Sequence, residues 1–335
     1  MTGRHVLPRL VALGGAAAVL TLGVSACGGG EDEITLGLIT KQEENPFFVK
    51  IRETAEDSAD DTDVKLLTAA GKSDVDNASQ VAALEDMTRE GAKGIMIVPA
   101  NSRAIVPAIE KARQAGVIVV ALDTPTQPPS AVEALYATNN RRAGNLIGRY
   151  AKAKAEEDAI EPRIAMLDLA PGISIGDLRH DGFLAGFGIE DGDPEIVGSA
   201  YAEGNEDKAR EAMARLLDED PGINIVYTIN EPTAFGVLDA LENAGRDDDD
   251  VILVSIDGSC DAVKDAVRPG KIDATSQQYP ENMAREGLEA VAEAVRGGPS
   301  PSGFRDTGVE LITSDPVDGV ESEDEAFGVR NCWGD

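Results

Sequence analysis

From Ile34 onward the chain alternates two hydrophobic patterns. Short β-branched or aliphatic runs occur at Ile34–Thr40, Val64–Thr68, Gly94–Val98, Val117–Leu122 and Ala134–Ala137. A second series occupies Arg163–Leu169, Glu195–Ala200, Ile223–Thr228, Val251–Ile256 and Ile272–Ser276. Between them lie stretches with helical periodicity: Asp76–Glu90, Arg103–Ala115, Asn140–Glu156, Ile175–Phe187, Asn205–Leu217, Pro232–Ala244 and Pro280–Arg296. A strand buried on both faces reads as a continuous apolar run, and the helix that covers it reads as amphipathic. The alternation therefore predicts an α/β fold with doubly wound parallel sheets. It runs twice, which predicts two such domains joined by several crossings, near Thr138 and again near Gln278. The expected lobes are residues 34–138 plus 279–312, and residues 139–278 plus 313–335. Roughly 300 residues after the leader suit two domains.

The leader breaks this pattern. Residues 1–26 carry Arg4 and Arg9 but no acid, followed by an apolar run from Leu10 to Val24, as in a secretory signal. The run ends in Val24-Ser25-Ala26-Cys27. This resembles a bacterial lipobox, where cleavage precedes the Cys and its thiol takes lipid; an ordinary signal with a chance Cys is the alternative. Residues 27–33 then read as the lipidated Cys27 and a flexible polar tether. No later segment approaches ~18 continuous apolar residues. The expected location is outside the cytoplasm, with the membrane reached only through the lipid. Two further cysteines, Cys260 and Cys332, meet an oxidising compartment and are expected to pair as a disulfide.

Charge narrows the partners. Without the two leader arginines, 28 basic residues face 61 acidic ones, a net charge of −33. Such a surface repels nucleic acid and anionic lipid. Asp247–Asp250 is a run of four acids after a glycine turn, read as solvated rather than metal-binding.

In open parallel sheets, ligands bind beyond the carboxyl ends of the strands. Those positions are unusually polar here: Lys41 and Asn45, Asn101-Ser102, Asp123-Thr124, Thr138-Asn139-Asn140, Asn230-Glu231, Asp257 and Gln277-Gln278. Any one of them suits a helix cap. Asn, Asp and Gln in such a row, with Arg and aromatic plates, suit a polyhydroxylated neutral ligand, whose hydroxyls each donate and accept. The segment Asn45-Pro46-Phe47-Phe48 adds two of only seven phenylalanines. It is either a helix start with core residues or an apolar plate against which a sugar ring face can stack.

The segments "LGLITKQEENPFFVKI", "GIMIVPANSRAIVPAIEKARQAGVIVVALDT", "ATNNRRAGNLIG", "LRHDGFLAGF", "VYTINEPTAFGVLDALENAG", "VSIDG" and "ATSQQYPENMAREGLEAV" together resemble the periplasmic sugar-binding proteins of ABC importers. The subgroup is the ribose-binding-like one, and the ending "NCWG" looks most like fructose-binding members. The resemblance implies a type I periplasmic-binding-protein fold, a monosaccharide in the interdomain cleft, delivery to a transporter permease, a monomer, no cofactor and no catalysis. It implies hydroxyl contacts from Asn45, stacking on Phe48 with Phe47 partly core, acceptance by Asp123, and donation by Arg179. It also implies ligand contacts from Asn230, Asp257 and Gln278, with Asn101 and Thr138 lining the cleft. Ribose binders carry Arg where Thr124 stands, so the ligand is expected to be fructose or a similar sugar, with Lys41 as replacement donor.

Rival readings are weaker. "GISIG" (172–176) matches a hydrolase G-x-S-x-G pattern, but His180 lies six residues from Ser174 on the same expected helix, on another face. Ser174 and His180 are accordingly given no role in binding. One His and two paired Cys cannot build a catalytic zinc site, and no phosphate-binding fingerprint occurs. A sugar-sensing lipoprotein that signals to a membrane receptor would share the cleft and differ only in partner.

Overall fold

The apolar runs become strands of two sheets. The computed structural model describes residues 1–3, 5, 34–246 and 250–334, and the fold below is that of the unit Glu33–Asp335. The expected signal (apart from residues 1–3 and 5), the lipid-bearing Cys27, the tether and residues 247–249 of the acidic run lie outside the described residues.

The first lobe runs β1 (Ile34–Thr40), α1 (Pro46–Asp61), β2 (Val64–Ala70), α2 (Asn77–Arg89), β3 (Gly94–Ile97), α3 (Val106–Gln114), β4 (Ile118–Leu122) and β5 (Ala134–Ala137). The second runs α4 (Asn140–Glu157), β6 (Ile164–Asp168), α5 (Ser174–Phe187), β7 (Ile196–Tyr201), α6 (Glu206–Glu219), β8 (Ile225–Thr228), α7 (Glu231–Asn243), β9 (Ile252–Asp257) and β10 (Ala274–Gln277). The chain then returns through α8 (Pro280–Val295) and β11 (Gly303–Asp306) to the first lobe. It crosses again to β12 (Glu310–Thr313) and α9 (Glu325–Asn331). The sheet orders are β11-β5-β4-β3-β1-β2 and β12-β10-β9-β8-β6-β7. Every pairing is parallel except β10 with β12.

The last crossing differs from the expected one at residue 312. Thr313 pairs with Ala274 and Glu310 with Gln277, so all of β12 belongs to the second sheet and the crossing lies upstream of Glu310. Four residues of strand carry little periodicity, and their sheet is chosen by an edge far away in sequence. The fully exposed β11 carries no apolar run at all.

Apolar side chains from α1 and α8 close one face of the first sheet, where Leu36, Leu38, Ile51, Met96 and Leu288 are fully buried. In the second lobe, α4 and α5 lie against each other through glycines. A Cβ at Gly144, Gly148, Gly182 or Gly186 would stand 2.0–2.3 Å from a backbone oxygen of the facing helix. The absent side chains let the two backbones touch. Gly144 abuts the carbonyl of Arg179, which fixes where α5 presents that arginine.

Candidate functional site

Strand ends of both lobes meet at a small internal cavity. It is lined by Lys41, Asn45, Phe47, Phe48, Asp74 and Asp123 from the first lobe, and by Leu169, Ile175, Arg179, Asn230 and Asp257 from the second. Its volume is about 20 Å³, room for about one water. A monosaccharide would enter only if the lobes part, as hinged domains do.

On the first lobe, Asn45 caps α1, its Oδ1 accepting from Phe47 N at 2.9 Å. The cap aims the following residues inward, so both phenylalanines are core and cavity wall at once, each 4% exposed. They are therefore equally buried, where Phe47 alone was expected to be part of the core. Lys41 Nζ lies 5.6 Å from the Phe48 ring centroid and 3.8 Å from Asp123 Oδ2. Thr124 donates its hydroxyl to that same Oδ2 at 2.8 Å, while the buried Oδ1 of Asp123 has no partner among the described residues. Asp74 is buried and accepts from Gln42 Nε2 at 2.7 Å. Burial pushes its pKa up, with the nearby Lys41 opposing.

On the second lobe, Arg179 is 2% exposed. Its Nε donates to Asn140 Oδ1 at 2.7 Å and one terminal nitrogen to the Ile229 carbonyl at 2.9 Å. The same nitrogen is 3.6 Å from Asp257 Oδ1. Gln278 Nε2 donates to Asp257 Oδ1 at 2.6 Å, leaving its own buried Oε1 without a partner among the described residues. Asn230 caps α7, accepting from Thr233 N at 3.2 Å and its hydroxyl at 2.7 Å. Behind them the buried Glu231 accepts from the amides of Gly258 and Ser259 and so shapes the turn that aims Asp257. Burial raises the pKa of both carboxyls.

Asp123 and Asp257 both sit at positive φ, 58° and 139°. Such backbone costs of order 1–3 kcal/mol per residue and persists where the surroundings over-determine it. Here one strained carboxylate from each lobe faces the same space.

Six of the nine sequence candidates line the cavity: Asn45, Phe48, Asp123, Arg179, Asn230 and Asp257. Gln278 stands one bond behind, on Asp257. Two are not brought in. Asn101 caps the turn before α3, accepting from Arg103 N and Ala104 N. Thr138 donates its hydroxyl to the Gly308 carbonyl at 3.2 Å, tying two of the crossings together. Asp74 was missed because its loop follows β2 by several residues and carries no apolar signal.

The expected disulfide joins Cys260 to Cys332 across 72 residues of sequence. It places Trp333 beneath the site, where the indole meets Phe47 edge-on at 5.4 Å and donates to the Gln278 carbonyl at 3.0 Å.

His180 lies away from Ser174, between Asp168 at 3.0 Å and Asp191 at 3.0 Å, in an open recess of about 590 Å³ on the second lobe. The hydrogen bond to Asp168 leads in raising its pKa to about 9. The folded value exceeds the ordinary 6.5, so its charge stabilises the fold fully below about pH 6.5 and the contribution is lost as pH rises through about 9. Chemical denaturation should show wild-type stability falling by up to about 3 kcal/mol more than that of His180→Gln between pH 6 and pH 9.5. Equal slopes for the two proteins would remove this assignment.

Among the described residues no group of three or more His, Cys, Asp or Glu could hold a metal, and no helix is long and apolar enough to cross a membrane.

Comparison with known proteins places this architecture. Residues 36–299 match the family described as periplasmic binding protein domain. The ribose import binding protein of Escherichia coli (strain K12) is 30% identical over 281 residues, 84% of this chain and 90% of that protein. The ribose import binding protein of Bacillus subtilis (strain 168) is 29% identical over 269 residues, 80% and 84% of the respective chains. A solved ABC transporter periplasmic solute binding protein from Actinobacillus succinogenes 130z, with bound D-allose, is 26% identical. It aligns with a TM-score of 0.74 over 84% of this chain and 98% of that one. The chain thus belongs to the periplasmic binding protein domain family, with the two-lobed type I fold, a family of transport binding proteins and not of enzymes.

Proposed function

We propose that this protein binds one monosaccharide between its lobes and delivers it to the permease of an ABC importer, held by a lipid on Cys27 at the outer face of the cell membrane. The observation that carries the sugar is the cavity wall. Asp74, Asp123 and Asp257 supply acceptors, Lys41 and Arg179 supply donors, and Phe47 and Phe48 supply an apolar plate. Hydroxyls satisfy both kinds of partner, and the ring face covers the plate. An anionic ligand would meet three carboxylates against two cations.

Six sequence candidates, Asn45, Phe48, Asp123, Arg179, Asn230 and Asp257, are assigned direct contact, and Gln278 is assigned to hold Asp257. Asn101 and Thr138 are assigned to the rim and the hinge. Fructose or a similar sugar is favoured over ribose, because Thr124 spends its hydroxyl on Asp123 where ribose binders carry an arginine.

Trp333 is the chain's single tryptophan. It is buried against Phe47 and the crossing residue Gln278, so its emission reports on the site. Titration with pentoses, hexoses and polyols should change that emission saturably for the preferred sugar. At ~100 times its dissociation constant that sugar should add about 2.7 kcal/mol of stability. A response to another ligand class, with none to any sugar, would overturn the reading.

A further inference from the structure

We propose that Ser102 and Ser174 form a latch that holds the two lobes closed and sets how long a bound sugar stays. This rests on the sugar-binding reading above.

The "GISIG" stretch is where the second lobe reaches the first. Ser174 opens α5, and Ser102 lies in the loop after β3. Their hydroxyl oxygens are 2.6 Å apart. Ser174 Oγ also lies 3.0 Å from the Pro125 carbonyl, and Ser174 N lies 3.2 Å from Ser102 Oγ. The Ser102 amide donates to the Gly172 carbonyl at 3.1 Å.

These contacts admit one consistent set of directions. A carbonyl only accepts, so Ser174 donates its hydroxyl hydrogen to Pro125. Ser102 then donates its own to Ser174 Oγ and accepts the Ser174 amide. Both serines are buried, at 1% and 4% exposure. Both hydroxyls and the Ser174 amide thus find partners within the seam.

The helix end gives the arrangement its meaning. The first amides of a helix lack intrahelical acceptors and need a cap. The residue before α5 is Ile173, which offers no side-chain cap. Ser102, from the other lobe, accepts from the first of those amides instead. α5 is therefore capped in trans, and only when the lobes meet. Gly172 stands at φ 95°, and a Cβ there would come within 2.8 Å of Asn101 Nδ2, so the seam also needs a glycine for close approach.

None of Ser102, Pro125, Gly172 and Ser174 lines the central cavity. The next residue, Ile175, does, and Arg179 follows on the same helix. Opening exposes the seam to water, which replaces these hydrogen bonds at modest net cost. Ser102 and Ser174 are thus positioning residues: they act on release of the sugar through α5, without touching it. The expectation that Ser174 has no role gives way to this one.

Stopped-flow measurement on the full chain, read by Trp333 emission with D-ribose, D-allose and D-fructose, tests the latch. Ser102→Ala and Ser174→Ala should each raise koff about 5- to 30-fold, with kon within about threefold of wild type. The double variant should fall short of the product of the singles, because they share one network. A koff within twofold of wild type in both variants, or losses carried by kon, would overturn the proposal.

A second arm needs no sugar. Ser102→Cys combined with Ser174→Cys should crosslink under mild oxidation, scored by mass. Failure to crosslink overturns the latch. Crosslinking with no response to any sugar supports the latch and instead defeats the sugar-binding reading.

Discussion

Arg179→Ala should weaken monosaccharide binding by roughly 10²- to 10³-fold. The guanidinium is buried with Asp257 at 3.6 Å and forms the cavity wall. Removing one member of a buried charge pair leaves the other uncompensated, at about 3–5 kcal/mol. Sugar hydroxyls lose a charged donor, worth about 1.5–3 kcal/mol per bond. The substitution also frees Asn140 Oδ1 and the Ile229 carbonyl, so the fold loses stability as well. Arg179→Lys separates the two effects: it keeps the charge but not the fork that spans Asn140, Ile229 and Asp257. Calorimetric titration of both variants, with circular dichroism to confirm folding, reads the result. Wild-type affinity in folded Arg179→Ala protein would remove the cleft assignment.

Cys332→Ser should cost about 4 kcal/mol of unfolding free energy, the size expected for a crosslink spanning 72 residues. Near its end the tail is otherwise held through Trp333, whose buried indole donates to the Gln278 carbonyl at 3.0 Å. The Trp333 carbonyl accepts from Cys260 N at 2.9 Å, and the indole packs against Phe47. With the crosslink gone, the indole becomes free to leave its place under the phenylalanines. Urea denaturation followed by Trp333 emission should show the lower midpoint together with a red-shifted native baseline. An unchanged midpoint would mean that packing alone holds the tail.

These two effects are coupled through the site. Trp333 supports Phe47, and Phe47 meets Phe48 edge-on at 5.6 Å. Phe48 in turn lies under Lys41. The tail thus reaches the first lobe's half of the cavity from a disulfide on the second. For Phe47 and Phe48 the alternatives of core residue and cavity wall do not exclude each other, because both rings belong to the core and both line this small cavity.

Local pattern by itself determined the α/β class, the two lobes and most element positions. β1 and β5 coincide with their apolar runs, and α4 ends one residue from its expected limit. Burial on both faces imposes continuous apolar runs, and that requirement is local. The polar row at the strand ends was legible for the same reason, because strand ends can be counted along the chain. Four of the six candidates that line the cavity, Asn45, Asp123, Asn230 and Asp257, stand in that row; Phe48 came from the Asn-Pro-Phe-Phe segment and Arg179 from the family resemblance alone.

Tertiary structure decided the rest. Asp74 joins the site because its loop folds back over Lys41 and Gln42, and no spacing in sequence encodes that return. Asn101 and Thr138 look like their neighbours in sequence, yet each spends its polar atoms on backbone nearby. The last crossing was set by which sheet edge was free to accept β12. Ser174 resembled a failed catalytic motif until Ser102, 72 residues earlier, came within 2.6 Å. Hydrogen-bond partners that distant in the chain leave no periodic trace, since only the closed fold brings donor and acceptor together.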